Sequence, residues 1–300
     1  MGEGEMKGRI CLVTGATSGI GRATALALGA LGATVLIHGR NAERAEEVRS
    51  RVLAGGGTAE VVFGDLGSLR QVRQLAREVE QGWGRLDVLV NNAGVDLGNE
   101  REITEDGLER TFAVNYLAPF LLTNLLLPML QRSAPARILT LGSGGQYVGR
   151  IDFDDLQGER HFSGQRAYDQ SKLALVVFTY ALARRVAGTG VTVNCVDPGL
   201  VKDTALGEEG SFGVRIAARV LQPFMSTPER GAETVVWAAS APELADANGE
   251  YLKNRKTAHS AAKSKDLELG ARLWEVSTQL TGTENLPERT STTNVPATDR

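Results

Sequence analysis

The chain has 300 residues, 42% apolar and 23% charged, with a formal net charge of −3; this is an ordinary globular balance, long enough to bury a sizeable core. That charge excludes an electrostatic footprint for nucleic acid or anionic lipid. Cys11 and Cys195 lie in apolar runs and read as small buried hydrophobes, while His38, His161 and His259 are scattered; neither set suggests a disulfide or a metal site.

The first eight residues lack the apolar core of a signal peptide, and the most apolar segment, 117–130, is interrupted by Pro119, Asn124 and Pro128. It is also shorter than the roughly 20 residues a spanning helix needs. The expectation is a soluble, cytoplasmic protein with no membrane anchor.

In chain order, short runs rich in Val, Ile and Leu predict strands at 9–14, 33–38, 59–63, 86–91, 137–141, 191–196 and 251–252. Segments of helical period predict helices near 21–31, 42–54, 69–81, 105–131, 165–187 and 228–240. Nearly unbroken apolar strands alternating with helices imply a parallel sheet covered on both faces. The fold class is therefore α/β: a Rossmann-type doubly wound sheet of about seven strands. The organisation expected is one catalytic domain over 1–282, a substrate-loop segment at about 200–227, and a disordered, Thr- and Pro-rich tail at 283–300.

The first strand runs into Thr14-Gly15-Ala16-Thr17-Ser18-Gly19-Ile20-Gly21, and a helical pattern follows at once. A strand, a glycine-rich turn and a helix start let backbone N–H groups receive a pyrophosphate. The spacing is G-x-x-x-G-x-G, and a plain turn is the competing reading. At the end of the second strand, roughly 20 residues on, an acidic residue would select the ribose 2′-hydroxyl of NAD. Arg40 stands there instead, a guanidinium suited to the 2′-phosphate of NADP, with Arg22 as a second cation. A merely solvated strand-end arginine is the alternative.

Tyr168 and Lys172 stand at i and i+4 on one helix face. A free tyrosine titrates near 10; a neighbouring ammonium, together with the positive nicotinamide ring, favours the phenolate and is expected to lower that value. The predicted strand ends carry Asn91-Asn92-Ala93-Gly94, Gly142-Ser143-Gly144-Gly145 and Asp197-Pro198-Gly199. With the first glycine turn, these clusters share the carboxyl edge of the sheet, where open parallel sheets bind ligands. Pro119, four residues after Asn115, has no N–H and crowds the carbonyl of Asn115. That carbonyl is expected to be released from helical pairing, an ordinary kink being the alternative.

With these residues in view, the chain resembles the short-chain dehydrogenase/reductase family, particularly its retinol dehydrogenase-like branch. The matching stretches run from about Lys7 to Gly282 and include Asp65-Leu66-Gly67-Ser68-Leu69, Phe112-Ala113-Val114-Asn115 and Arg272-Leu273-Trp274-Glu275. The resemblance implies a catalytic tetrad of Asn115, Ser143, Tyr168 and Lys172. Tyr168 would be the acid/base, and Ser143 would hydrogen-bond the substrate oxygen. Lys172 would hold the ribose and tune Tyr168, and Asn115 would anchor a water of the proton relay. NADP would lie along Gly15, Thr17, Ser18, Gly19, Ile20, Gly21 and Arg40. Asp65 and Leu66 would face its adenine, Asn92, Ala93 and Gly94 would line the cleft, and Pro198, Gly199 and Thr204 would embrace the nicotinamide. Gly142 departs from the pattern, since a second serine is common before the catalytic one.

Three functions compete: interconversion of an alcohol and a carbonyl, reduction of a carbon–carbon double bond, and an NADP-binding regulator without chemistry. The intact tetrad speaks against the third. The segment 214–225 carries Val214, Ile216, Val220, Leu221, Phe224 and Met225, an apolar stock suited to a hydrophobic small-molecule substrate. Its alternative occupant is a second subunit, so a homo-oligomer stays open.

Overall fold

The computed structural model describes residues 5–96, 98–201 and 225–284. Thr204, nearly all of the expected loop at 200–227 with its apolar segment up to Phe224, and most of the tail lie outside them. One eight-stranded sheet runs in the order β3-β2-β1-β4-β5-β6-β7-β8. Its strands are β1 (Ile10–Val13), β2 (Thr34–Gly39), β3 (Thr58–Phe63), β4 (Val88–Asn91), β5 (Ala136–Leu141), β6 (Val191–Asp197), β7 (Tyr251–Lys253) and β8 (Lys256–Ala258). The first seven are parallel, and β8 returns antiparallel to β7.

The eighth strand was not expected from sequence, because Lys256–Ala258 has neither apolar alternation nor length. A two-residue turn forms it: Asn254 and Arg255 take φ of 52° and 55°, the left-handed pair that matches the twist of a hairpin.

Helices cover both faces, as the continuous apolar strands require. They are α1 (Gly19–Ala30), α2 (Ala42–Ala54), α3 (Leu69–Gly82), α4 (Arg110–Arg132), α5 (Gly145–Val148), α6 (Gly164–Arg185), α7 (Pro228–Ser240) and α8 (Leu267–Thr281). Among the described residues, α4 is the one helix long and apolar enough to cross a membrane, and it is mostly buried inside the protein. It starts later than its sequence period suggests. Glu105 and Asp106 instead serve α3, through Ser68 Oγ and the Leu69 N–H, and Glu109 caps α4 by accepting from the Thr111 and Phe112 N–H groups at 2.7 Å each.

The segment Ala113–Leu117 of α4 is a π turn, with the Ala118 N–H reaching back to the Ala113 carbonyl. The helix runs on through Pro119 by widening around Asn115, a π bulge of the kind that marks functional positions. The missing N–H of Pro119 therefore coincides with a local change of helix type, not with a break.

The C-terminal α8, also unassigned from sequence, lies on α4 and α6. Trp274 is buried with ring centroids 5.0 Å from Phe120 and 5.8 Å from Phe178, and the Arg185 guanidinium sits 3.9 Å over its ring. Tyr116, inside the π turn, pairs its hydroxyl with Ser277 Oγ at 2.7 Å. The distant C-terminal helix thus braces the turn that presents Asn115.

Candidate active site

Strand order reverses between β1 and β4, opening a crevice at their carboxyl ends. Thr14, at the end of β1, accepts at its Oγ1 from the N–H groups of Asn92 (3.0 Å) and Ala93 (3.1 Å), so the two strand ends are tied across the crevice. Asn92 donates its amide to the carbonyls of Thr14 (2.7 Å) and Gly15 (3.2 Å). The glycines of this turn are sterically required. A Cβ on Gly21 would stand 2.3 Å from the Gly15 carbonyl oxygen and 2.4 Å from Asn92 Nδ2, and Gly15 adopts φ +62°.

His38, which sequence reading left unassigned, locks this turn. Its Nδ1 accepts from the Gly15 N–H at 3.2 Å, so the proton resides on Nε2, which donates to the Gly64 carbonyl at 3.0 Å. Burial pulls its pKa down to about 4, keeping it neutral. Next to it, Gly39 has no room for a side chain, since a Cβ would meet Thr17 Cγ2 at 2.3 Å. This close approach sets Arg40 beside the turn, exposed and without a hydrogen bond or ion pair to the described residues. Asp65 closes its own loop by accepting from the Gly67 N–H at 2.9 Å, and Leu66 is buried.

At the other end of the crevice, Ser143 stands close enough to Tyr168 for its hydroxyl to pull the phenol's pKa down. Their approach is set by α5 lying directly on α6. A Cβ on Gly145 would be 2.4 Å from Asp169 Oδ1, and one on Gly149 would be 2.2 Å from the Asp169 carbonyl oxygen. Gly164, at the start of α6, likewise presses on the Gly98 carbonyl, tying the loop after β4 to the helix that carries Tyr168. Asn115 is fully buried; it accepts from the Val95 N–H at 2.7 Å and donates to the Val95 carbonyl (2.9 Å) and Ser171 Oγ (3.1 Å). The Gly142 departure has a packing cause: a Cβ there would sit 2.7 Å from Cys195 Sγ.

Without the nicotinamide, the protein's own electrostatics raise the pKa of Tyr168. Burial pushes the Tyr168 phenol up to about 12; the Ser143 hydroxyl lowers it, while Asp96, Asp169 and Asp197 raise it further. Lys172 does not depress it. Its ammonium donates to the Leu141 carbonyl at 3.1 Å and stands 5.6 Å from the Tyr168 ring centroid. The same burial brings Lys172 down to about 8, with Cys195 and Asp197 acting in the opposite sense. Within the protein, desolvation outweighs the attraction between the two groups.

Of the residues singled out from sequence, Asn115, Gly94, Lys172 and Tyr168 converge: a Cβ on Gly94 would lie 3.4 Å from Asn115 Oδ1 and 3.5 Å from Lys172 Nζ. Pro198 and Gly199 follow β6, where the Gly199 N–H donates to Asp197 Oδ1 at 2.9 Å. A cavity of about 420 Å³ opens where α1 and α7 begin, lined by Ser18, Gly19, Arg22, Thr227, Pro228 and Glu229. Ser18 makes no side-chain cap on α1, so the first-turn N–H groups of that helix are left for an anion. Another cavity, of about 170 Å³, lies beside the start of α6 between Val148, Leu156, Phe162 and Asp169. Neither Ser143 nor Tyr168 lines it, so it is not the reaction centre.

A family model for short chain dehydrogenases matches residues 9–211. The chain is 44% identical over 284 residues to polyprenol dehydrogenase of Mus musculus, covering 92% of this chain and 84% of that one. It is 40% identical over 287 residues to retinol dehydrogenase 13 of Homo sapiens, covering 92% and 86%. Among solved structures, an angucycline C-6 ketoreductase with bound NADP gives a TM-score of 0.70 at 32% identity, over 84% of this chain and 96% of that one.

Proposed function

The chain belongs to the short-chain dehydrogenase/reductase family of oxidoreductases, in its retinol dehydrogenase-like branch, and from that premise we propose that it interconverts an alcohol and a carbonyl on a hydrophobic small molecule using NADP(H). The observation that carries the reading is the gathering of Ser143, Tyr168, Lys172 and Asn115 at the switch-point edge. The related proteins named for polyprenol and retinol support an apolar substrate.

The cleft fits a dinucleotide on its own geometry. The cradle of Gly15, Thr17, Ser18, Gly19, Ile20 and Gly21 has no room for side chains at its closest points, and the uncapped start of α1 faces it. In this reading Arg40 takes the 2′-phosphate, Asp65 and Leu66 meet the adenine, and Asn92, Ala93 and Gly94 line the cleft. Lys172 and Tyr168 meet the ribose, and Pro198 and Gly199 the nicotinamide. The bound cofactor supplies or accepts the hydride.

Tyr168 moves the proton to or from the substrate oxygen, which Ser143 orients by a hydrogen bond. A phenol held up at about 12 is protonated at neutral pH, so the protein alone keeps it ready to donate. Lys172 would hold the cofactor ribose and keep a proton close to Tyr168, and Asn115 would fix the far side of that site. A cytoplasmic location completes the proposal, and cell fractionation tests it.

The deciding experiment is NADPH consumption with graded aldehydes, ketones and enones. Tyr168→Phe is expected to cut kcat by roughly 10²–10⁴-fold while NADPH affinity holds. Arg40→Asp should weaken NADP and improve NAD, since a charge-assisted hydrogen bond is worth about 1.5–3 kcal/mol. Turnover confined to enones, tight NADPH binding without turnover, or a Tyr168→Phe protein with near-normal kcat would overturn the proposal.

A further inference from the structure

Asp197 closes β6 immediately before the Pro198–Gly199 turn and is almost fully buried, at 2% exposure. Its two oxygens hold three partners. Oδ1 accepts from the Gly199 N–H at 2.9 Å, and Oδ2 accepts from the Tyr251 hydroxyl and from Lys253 Nζ, each at 2.9 Å. Tyr251 is itself buried in β7, whereas Lys253 keeps its ammonium partly in water. One carboxylate therefore joins the turn after β6 to the closing hairpin of the sheet.

A buried carboxylate needs such partners, because an unpaired one is expensive to keep out of water. The Tyr251 hydroxyl needs an acceptor here but not a charge, and the neighbouring register pair Val196–Leu252 is wholly apolar. What the charge does lie near is Lys172. The Leu141 carbonyl that holds the Lys172 ammonium belongs to the residue paired with Val196, immediately before Asp197, and the carboxylate acts electrostatically on both Lys172 and Tyr168. Around Lys172 stand Tyr168 on its own helix, Gly94 and Asn115 on the far side, the Leu141 carbonyl, and Cys195 and Asp197 on β6. Tyr168 is also faced by Ser143, Asp96 and Asp169.

We propose that Asp197 and Lys253 form a positioning pair: the carboxylate fixes the Pro198–Gly199 turn and the charge state of Lys172, and Lys253, half in water, sets how strongly it does so. The pair touches neither substrate nor cofactor; it acts through the turn and through Lys172. The inference rests on the reading above that Lys172 holds the cofactor ribose.

The two members of the pair push Lys172 in opposite directions, and that separates this role from a structural one. Asp197→Asn removes the negative charge, so Lys172 loses its proton at lower pH. Lys253→Met leaves the carboxylate unscreened, so Lys172 keeps its proton to higher pH.

The experiment is the pH dependence of NADPH affinity, read from nicotinamide fluorescence between pH 6 and 10 on the wild type, Asp197→Asn, Lys253→Met and Lys253→Arg. The wild type should lose affinity as pH rises through about 8. The midpoint should move to lower pH in Asp197→Asn, to higher pH in Lys253→Met, and return to the wild-type position in Lys253→Arg. Each displacement should be about half a pH unit or more, a change of roughly threefold or more in affinity on the slope. Midpoints that stay together, or move the same way in Asp197→Asn and Lys253→Met, would overturn the proposal even if thermal stability falls. Should Asp197→Asn not fold, the opposed shifts of Lys253→Met and its recovery in Lys253→Arg still decide it. A wild type that binds no NADPH would sink the cofactor reading and this inference together; wild-type binding with unmoved midpoints sinks the inference alone.

Discussion

The two ends of the cleft are built from different materials. At the nucleotide end the turn is shaped by exclusion and by uncharged contacts. Gly15, Gly21 and Gly39 leave no room for side chains, and a neutral His38 holds the loop by one hydrogen bond in and one out. Nothing there costs much to bury. The catalytic end keeps ionisable groups out of water: Lys172 at 4% exposure, Asp197 at 2%, and a half-buried Tyr168. Each charge held there is a cost that packing elsewhere must offset. The contrast teaches that the binding half can be as stable as the core around it, whereas the reactive half is kept at the expense of stability.

The steric half of that comparison breaks most visibly at Gly21. A Cβ there meets backbone and an amide inside 2.5 Å, so Gly21→Ala should lower stability by about 3 kcal/mol, the upper range for overpacking, and abolish NADPH binding. An unchanged denaturation midpoint would show that the cradle yields. At the other end the sign reverses. Folding takes Lys172 from its ordinary 10.5 down to about 8, so Lys172→Met should raise stability at pH 7 by about 2 kcal/mol, after allowing for the lost hydrogen bond to Leu141, while ending catalysis. Between those two pH values the unfolded chain holds the extra proton, so the stability deficit of the wild type against Lys172→Met should shrink as pH rises. Parallel curves would remove the cost assigned to this end.

A smaller effect sharpens the neutrality of the binding end. Folding lowers His38 from 6.5 to about 4, so the unfolded chain takes up a proton first as pH falls, and stability drops across that window. The loss should be about 1.4 kcal/mol at pH 5.5, measurable by urea denaturation and missing in His38→Gln. The smallest change expected is at Gly94, where a Cβ would make only ordinary contacts at 3.4 and 3.5 Å. Gly94→Ala should cost less than about 1 kcal/mol; a loss as large as that of Gly21→Ala would erase the distinction between the two ends.

What could be read in the sequence was what is written locally. Seven strands, the glycine turn and the Tyr168/Lys172 spacing are patterns of period and neighbourhood, and the sheet bears out the doubly wound topology. What escaped depends on partners far away in the chain. His38 looked like one of three scattered histidines until Gly15 and Gly64 closed on it. Gly164 is a small residue at a helix start until the Gly98 carbonyl fills the space its side chain would need. That the protein alone holds Tyr168 up was not legible for a related reason, since spacing reveals that a lysine is near but not that both groups are desolvated. Helix α8 was left unassigned although its signal is local: Leu269, Leu273, Val276 and Leu280 recur at helical spacing, and all four pack on the core.

Position 142 constrains the history of this chain as well as its packing. Sγ of Cys195 occupies the space that any side chain before Ser143 would need, 2.7 Å from where its Cβ would stand. A serine at 142 is accommodated more readily once position 195 has become smaller; in the reverse order the intermediate crowds Cys195 Sγ next to the Ser143 hydroxyl. Two substitutions that are each harmless in the right background are therefore passable in one sequence of events and costly in the other. A contact between neighbouring strands thus makes the order of two substitutions matter: Gly142→Ser alone should cost more stability than Gly142→Ser made after Cys195→Ala.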